Sequence, residues 1–225
     1  MENANMLYCP ICATTAERFL PFGRQQRLDA RCPNCGSLER HRFSWLYLTK
    51  ETDLLDAMNA RFLHFAPEAC LRNHFRRIFL NNYVTADLLG GDVDINIDIE
   101  STGLPPSAFD IIYCSHVLEH VADDRKALFE LRRILAPKGR LLILVPIKGL
   151  QTFEDHSIVS DDARLKAYGQ ENHVRQYGSD VANKITNTGF CVRVVQPHNF
   201  LLPEQISRMC ISPPNRTLFD CTKNE

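Results

Sequence analysis

The sequence lacks several features that define large classes of proteins. Its 225 residues contain no apolar run near the roughly 20 residues that a membrane-spanning helix needs. Residues 1–10 show neither a basic start nor an apolar stretch, so no signal peptide is expected. No internal repeat or low-complexity segment is present. With 44% hydrophobic and 24% charged residues, the composition indicates a soluble globular protein, which we expect to be cytoplasmic.

An excess of charge of one sign is also absent. The formal net charge of −1 excludes a generally basic nucleic-acid coat. Residues 1–50 hold seven basic and four acidic side chains, net +3, which leaves net −4 for residues 51–225. The basic residues 1–50 would favour binding of an anionic partner, although charges scattered over a solvated surface explain the net +3 equally well. No run of Lys and Arg with interleaved aromatic residues indicates nucleic-acid binding.

Cysteine is abundant, and its spacing is informative. Nine cysteines in a chain without a signal peptide argue against disulfides, because the cytosol keeps thiols reduced. Four of them form two C-x2-C pairs, Cys9 with Cys12 and Cys32 with Cys35, and Gly36 permits the second turn to close. Two such turns supply the four tetrahedral thiolates that Zn²⁺ accepts. Because no coordination position stays open, the predicted zinc is structural, with rubredoxin-like iron as the alternative.

The remaining cysteines are isolated. Cys114, Cys191 and Cys221 lie in apolar runs, where cysteine packs as a small hydrophobic residue. The C-x3-C-x2-C spacing of iron–sulfur radical enzymes is absent. His41 is the nearest substitute metal ligand, but four cysteines make it unnecessary.

Two domains are predicted along the chain. Residues 1–50 form a small N-terminal zinc ribbon with a linking helix, and residues 51–225 form the second domain. In the second domain, strand-like runs alternate with helical patterns, which predicts an α/β fold with a doubly wound, mostly parallel, Rossmann-like sheet. The predicted strands are residues 62–65, 83–86, 95–99, 109–114, 140–145, 190–195 and 217–221.

The clearest predicted helix covers residues 124–135. Its apolar side chains recur on one helical face. Asp123 or Asp124 can cap its start, and Gly139 can end it.

Functional side chains are expected just beyond the carboxyl ends of the strands. The first strand leads into residues 66–70, with the sequence APEAC, and the second ends at Asp87. An acid about 20 residues beyond the first loop commonly binds the ribose hydroxyls of a nucleotide, although it can also cap the next helix. The third and fourth strands lead into residues 98–100 and 115–116.

Two segments at these strand ends resemble motifs of the class I S-adenosylmethionine-dependent methyltransferases. Residues 104–121, LPPSAFDIIYCSHVLEHV, look like the fourth strand of that superfamily and the turn after it. Residues 135–141, LAPKGRL, are similar to its turn into the fifth strand. The resemblance covers about residues 61–147. It implies an enzyme that uses S-adenosyl-L-methionine to methylate an acceptor.

The resemblance also implies roles by position. Asp87 would bind the ribose and Asp98 the adenine amino group, while Ile99 would pack on the adenine. Ser115 and His116 would line the methionine end of the cofactor.

The first loop departs from the Gly-x-Gly-x-Gly of the superfamily. The residues expected to contact the cofactor here are Phe65, Ala66, Pro67 and Glu68. Ala66 is small enough to replace the first glycine, whereas Pro67 offers no N–H. Glu68 places a carboxylate where it could meet the methionine ammonium group. The chain also resembles uncharacterised methyltransferases that have this loop and a leading zinc ribbon.

A polar segment after the fifth strand, residues 170–178 (QENHVRQYG), lies where this superfamily often inserts substrate-binding elements. A general base is needed when the acceptor must lose a proton, and His116 and His173 are the candidates. Arg175 and Tyr177 are predicted to contact an anion or hydroxyl of the substrate. Polar surface residues in a capped loop are an equally good interpretation.

A second metal site is a weaker interpretation of the sequence. His116, Glu119 and His120 would share a helical face. Because Glu-His in this turn is common in the superfamily without metal, packing and helix capping are favoured.

The leading hypothesis is methyl transfer to an oxygen or nitrogen of a small molecule or saccharide, with no membrane partner. The alternatives are an rRNA or other nucleic-acid methyltransferase that uses the ribbon for binding, and a non-catalytic scaffold. A nicotinamide-dependent oxidoreductase is less favoured, because Gly-x-Gly-x-x-Gly is absent.

Overall fold

The computed structural model describes residues 6–211 and 216–224, and it divides into two compact units. The first, called the ribbon unit below, comprises the chain up to Met58 together with Glu68–Ile78 and Gln196–Arg216. The second, called the sheet unit, comprises Asn59–Pro67, Phe79–Val195 and the chain from Thr217.

Strands and helices alternate through most of the chain. The strands are β1 Leu7–Cys9, β2 Thr14–Ala16, β3 Leu20–Phe22, β4 Arg27–Arg31, β5 Phe62–Phe65, β6 Tyr83–Asp87, β7 Ile95–Asn96, β8 Phe109–Ser115, β9 Leu135–Leu144, β10 Phe190–Val195 and β11 Leu218–Lys223. The helices are α1 Glu39–Lys50, α2 Ala69–Phe79, α3 Asp124–Ile134, α4 Asp161–Tyr168, α5 Val181–Thr186 and α6 Pro203–Arg208, with short 3₁₀ turns at Leu80–Asn82 and Pro197–Asn199.

The ribbon unit contains two small antiparallel hairpins, β1–β2 and β3–β4, and it is held together by a buried arginine. Arg42 on α1 is fully buried. Its guanidinium donates to the carbonyl oxygens of Ala30 and Ser37, and also to those of Met209 and Cys210. These bonds satisfy the buried charge and join three stretches of chain that are distant in sequence.

The ribbon unit is larger than the predicted residues 1–50. Trp45 on α1 packs against two rings of α2, with centroid distances of 4.8 Å to His74 and 6.2 Å to Phe75. Phe43 stacks on Phe200 at 6.1 Å. Apolar and aromatic contacts therefore bring later segments of the chain onto the linking helix.

The sheet unit contains one seven-stranded sheet in the order β10-β11-β9-β8-β5-β6-β7. Strands β7, β6, β5, β8 and β9 pair in parallel, and β11 is antiparallel to both of its neighbours. The predicted α/β fold with a mostly parallel, Rossmann-like sheet is confirmed. Its core consists of aliphatic and aromatic side chains from the central strands and from α3 and α5.

Most predicted strands agree with the observed ones, but the third is shorter, and the fifth, predicted at residues 140–145, begins at Leu135. β7 ends at Asn96, and the following Asp98 pairs with Ser101 in a tight turn. α3 begins as predicted, because the Asp123 side chain accepts a hydrogen bond from the Lys126 N–H.

Gly139 does not end α3, which stops at Ile134. Gly139 instead lies within β9, where an added Cβ would approach the backbone oxygen of Asp110 to 2.8 Å. The glycine is needed there because two neighbouring strands come close together.

Candidate functional site

The four predicted metal-binding cysteines come together in the ribbon unit. The Sγ atoms of Cys9 and Cys35 are 3.6 Å apart, and those of Cys12 and Cys32 are 3.7 Å apart. All four Sγ atoms lie within 4.8 Å of one another. A tetrahedral zinc site with Zn–S bonds of about 2.3 Å has S–S edges of about 3.8 Å. The cysteine cluster, Cys9, Cys12, Cys32 and Cys35, therefore fits one tetrahedral ion.

The backbone and two hydroxyls support the cysteine cluster. Gly36 has φ +71°, and its N–H donates to the carbonyl of Cys32 at 3.0 Å, which closes the turn. The hydroxyls of Ser37 and Thr14 lie 3.2 and 3.0 Å from sulfurs of the cluster. Such contacts orient thiolate ligands before a metal binds.

Three neighbouring parallel strands end at the same edge of the sheet. Phe65 at the end of β5 pairs with Ala86 in β6 and with Cys114 in β8. The next residue, Ala66, donates its N–H to the Ala86 carbonyl at 2.8 Å and has φ +47°. This left-handed conformation is the one that glycine adopts most easily. Ala66 thus makes the sharp turn for which the superfamily uses glycine.

The predicted nucleotide-binding acids lie in loops at this edge. Asp87 is half-buried at the end of β6, and its Oδ1 accepts a hydrogen bond from the Leu89 N–H at 2.9 Å. Asp98 is exposed and accepts one from the Glu100 N–H at 2.8 Å. Ile99 is buried in the hydrophobic core.

The first loop divides between the two units. Pro67 is the last residue of its sheet-unit segment, and Glu68 begins a segment of the ribbon unit. There the Glu68 Oε1 lies 3.4 Å from Nε2 of His41, whose Nδ1 lies 3.2 Å from Sγ of Cys70. Burial raises the pKa of the Cys70 thiol, so it stays protonated at neutral pH. His41 therefore contacts one side chain just before α2 and one in its first turn.

The chain is strained where β8 ends. Ser115 is buried, and its Oγ has no hydrogen-bond partner among the residues described. His116 has φ +56°, and its N–H donates to the Leu144 carbonyl at 2.8 Å. Backbone strain of this kind costs about 1–3 kcal/mol and is concentrated at functional sites.

A buried carboxylate holds the His116 ring. Nδ1 of His116 lies 3.0 Å from Oε1 of Glu119, whose side chain is almost completely buried. Burial by itself would raise the pKa of the Glu119 carboxyl, but the charge of the adjacent His116 ring outweighs it and lowers the pKa. An imidazole held through Nδ1 keeps Nε2 available to a reacting group.

The predicted polar segment lies against this turn. The Val174 N–H donates to the Glu119 carbonyl at 2.9 Å, and the rings of His120 and His173 meet edge to face at 4.7 Å. Nδ1 of His120 lies 3.1 Å from the Asn172 carbonyl oxygen. The ligand atoms of Glu119, His120 and His173 all lie within 4.8 Å of one another. These three residues are called the Glu–His cluster below.

His173 differs from His116 in its surroundings. It is buried, and burial lowers the pKa of its imidazole to about 4. A group with this pKa is neutral at pH 7 and is a weak base.

Arg175 has its partners inside the protein. It is 1% exposed, and its guanidinium donates to the carbonyls of Leu118, Val121 and Ala122 at 2.6–2.9 Å. It also donates to the Glu154 carboxylate at 2.6 Å. These bonds fix the turn that carries the Glu–His cluster.

Tyr177 is likewise 1% exposed, and its hydroxyl donates to the Asp124 carboxylate at 2.8 Å. Next to it, an added Cβ at Gly178 would overlap the backbone of Gln151. The structure thus gives internal partners to Arg175 and Tyr177, for which the sequence predicts substrate contacts.

Residues 63–143 match the family model of the methyltransferase domain. The fold is similar to an S-adenosylmethionine-dependent methyltransferase from Mesorhizobium loti, with TM-score 0.51 and 16% identity over 75% of this chain and 95% of that one. It is also similar to the 1,6-didemethyltoxoflavin-N1-methyltransferase of Burkholderia thailandensis, solved with S-adenosylhomocysteine, with TM-score 0.51 and 12% identity over 83% and 87%. No curated protein matches the sequence.

The predicted resemblance to a methyltransferase is confirmed over residues 63–143 by the domain match, and the fold is shared with solved S-adenosylmethionine-dependent methyltransferases. In residues 6–211 and 216–224, no helix is both long enough and apolar enough to cross a membrane.

Proposed function

We propose that this protein transfers the methyl group of S-adenosyl-L-methionine to an oxygen or nitrogen of a small molecule or saccharide. One observation carries the proposal. Ala66 directly follows β5, Asp87 ends β6, and Ser115 ends β8 just before the strained His116, so these residues lie at the ends of three adjacent parallel strands at one edge of the sheet. In doubly wound folds the ligand crevice lies at this edge.

The residues at the edge fit the cofactor. Ala66 adopts the left-handed turn that lets a backbone approach a ligand closely, and Asp87 offers a half-buried carboxylate for the ribose. Asp98 provides an exposed acceptor for the adenine. When bound, the cofactor supplies an electrophilic methyl group. The protein then mainly has to align the acceptor and exclude water.

His116 is the proposed general base, and Glu119 is its positioning residue. The carboxylate 3.0 Å from Nδ1 holds the ring and leaves Nε2 for the acceptor proton. The low pKa of His173 makes that residue the weaker candidate.

We further propose that the cysteine cluster holds one structural zinc ion. The sulfur distances support a tetrahedral ion, and four thiolates leave no position for a substrate. Elemental analysis of the purified protein should find zinc. If it finds iron, the zinc assignment is wrong, but the proposed methyl transfer is unaffected.

Calorimetric titration with S-adenosylhomocysteine tests the cofactor assignment. We expect micromolar binding by the zinc-loaded protein and binding at least about 10-fold weaker in Asp87→Ala, because the ribose loses its acceptor. Asp162→Ala removes an exposed carboxylate from the first turn of α4 and serves as the matched control. A folded protein that binds no S-adenosylhomocysteine, with Asp87→Ala silent, would favour the non-catalytic scaffold.

The acceptor is the second part of the proposal. Among the basic residues of the ribbon, Arg27 forms a two-bond ion pair with Glu39, which reduces its availability for phosphate. This contact favours a small molecule or saccharide over RNA. Retention on RNA at moderate salt, lost when Arg24, Arg27 and Arg31 are replaced, would instead support a nucleic-acid substrate.

A further inference from the structure

The Glu–His cluster has the composition of a metal site. Two imidazoles and one carboxylate, from Glu119, His120 and His173, place their ligand atoms within 4.8 Å of one another. All three residues belong to the sheet unit. Histidine and carboxylate ligands suit Zn²⁺, Co²⁺, Mn²⁺ and Fe²⁺, and two histidines with one glutamate form the ligand set of many catalytic zinc centres.

The tautomer of His120 is set for coordination. A carbonyl oxygen can only accept a hydrogen bond, so the 3.1 Å contact with Asn172 requires the proton on Nδ1 of His120. Nε2 then has the lone pair that a metal needs. Metal-binding histidines usually donate their other N–H to a carbonyl or carboxylate in this way.

Glu119 gives an independent reason for a cation. Its side chain is 1% exposed, and burying a carboxylate costs several kcal/mol unless the charge is compensated. His116 lies 3.0 Å from Oε1, yet neither carboxylate oxygen makes a well-oriented hydrogen bond within the described chain. A carboxylate has enough lone pairs to keep the His116 contact and to bind a metal as well.

The site is preassembled by its surroundings. Hydrogen bonds from Arg175 hold the turn that contains Glu119 and His120. Val174, the residue after His173, donates its N–H to the Glu119 carbonyl. Ligands held in this way need little reorganisation when an ion binds.

We propose that Glu119, His120 and His173 bind one divalent transition-metal ion of the Zn²⁺ type, at a site separate from the cysteine cluster. Three protein ligands leave at least one coordination position open, as in catalytic zinc sites. If the proposed methyl transfer holds, an acceptor with a hydroxyl group can bind the ion there. The ion would lower the pKa of that hydroxyl beside His116.

Cobalt titration of protein loaded with one equivalent of zinc tests the site. The thiolates keep the zinc, because Co²⁺ binds such sites more weakly than Zn²⁺. We expect one further equivalent of Co²⁺ to bind, with visible absorption bands but without the sulfur-to-cobalt charge transfer of a thiolate site. Glu119→Gln and His173→Ala should each weaken this binding at least about 10-fold.

His156→Ala is the matched control, since it removes an exposed histidine of the same unit and should leave cobalt affinity unchanged. Circular dichroism shows whether each variant is folded, and His120→Ala replaces Glu119→Gln if the latter unfolds. Absence of a second cobalt equivalent, or equal affinity in folded His173→Ala and wild type, would overturn the proposal. Titration of the same samples with S-adenosylhomocysteine tests the methyltransferase assignment separately.

Discussion

The cysteine cluster and the Glu–His cluster gather metal-binding side chains in opposite ways. The cysteines come from two tight C-x2-C turns, and each turn fixes its pair through local backbone geometry. The Glu–His cluster joins two adjacent residues after β8 to His173, more than fifty residues later. A site built from local turns is visible in the spacing of a sequence, whereas a site built by packing two distant segments is not.

The donor atoms of the two clusters differ as well. Four thiolates close a tetrahedron, so their ion can only hold structure. Two imidazoles and one carboxylate leave an open position, so their ion can take part in chemistry. We therefore assign the proposed structural ion to the ribbon unit and the proposed reactive ion to the sheet unit.

The largest effect is expected from Cys32→Ser. Structural zinc contributes roughly 10–16 kcal/mol of apparent binding free energy in small zinc modules, so losing one ligand should release the ion and unfold the hairpins. Elemental analysis and amide exchange of residues 7–37 measure both changes. Exposed Cys191 is the control, and Cys191→Ser should keep the zinc. Loss of cobalt binding at the Glu–His cluster in Cys32→Ser would contradict the separation of the two sites.

Arg175→Met should destabilise the sheet unit by about 3–5 kcal/mol, because it leaves three carbonyls and the Glu154 carboxylate without their buried partner. Cobalt affinity should fall in the same variant, since the turn that carries Glu119 loses its anchor. Urea unfolding and cobalt titration measure the two effects. Arg125→Met, at an exposed position of α3, should change neither. If Arg175→Met is less stable but binds cobalt as tightly as wild type, then Arg175 does not position the metal ligands.

Ala66→Val should cost about 1–3 kcal/mol in the free energy of unfolding, because a β-branched residue is strongly disfavoured at φ +47°. It should also weaken S-adenosylhomocysteine binding by moving the loop after β5. Ala66→Gly is the matched control and should preserve both properties, since glycine adopts positive φ freely. Equal stability of the Val and Gly variants would show that the turn is unstrained.

The carboxylate of Glu130 receives its hydrogen bonds from within the protein and needs no metal, in contrast to the carboxylate of Glu119. The Arg133 hydrogen bond, with help from Thr102, lowers the pKa of Glu130 from 4.5 to about 2. The stabilisation is therefore complete above pH 4.5 and is lost as the pH falls towards 2. We expect about 1 kcal/mol at most, since Arg133 is 40% exposed and water screens the pair.

Urea unfolding of Glu130→Gln measures this contribution to the free energy of unfolding. The variant should be less stable than wild type at pH 7, and the difference should shrink as the pH falls from 4.5 through about 2. Glu204→Gln, at an exposed position of α6, should match wild type throughout this pH range. A difference between Glu130→Gln and wild type that does not shrink between pH 4.5 and pH 2 would exclude titration of Glu130 as its cause.

Much of the fold could be predicted from the sequence. The strands at residues 62–65 and 190–195 begin and end where the sequence predicts. Short apolar runs of aromatic and β-branched residues between polar turns are compatible with few structures other than a strand. The end of α3 lies one residue from the predicted end, but the role of Gly139 could not be predicted, because a glycine after a helix is a stop signal by local rules. Its actual role depends on how closely β9 approaches the backbone of Asp110.

The candidate site was predicted less completely. Its location at the strand ends followed from strand order, and His173 was identified by the density of polar residues around it. Arg175 and Tyr177 belong to the same polar segment, yet they are buried, because their partners lie on the turn and helix after β8. The sequence favours packing and helix capping for Glu119 and His120, because Glu-His in this turn is common in the superfamily without metal. The position of His173 beside them depends on the tertiary structure.

The sequence by itself determined the cysteine cluster, the parallel sheet and the edge at which the cofactor is proposed to bind, because turn spacing and hydrophobic periodicity act over a few residues. Only the tertiary structure decided which polar side chains are exposed and which meet in the interior. That outcome depends on packing between segments far apart in the chain. The same polar segment therefore supplies both Arg175, which anchors a turn, and His173, which joins the Glu–His cluster.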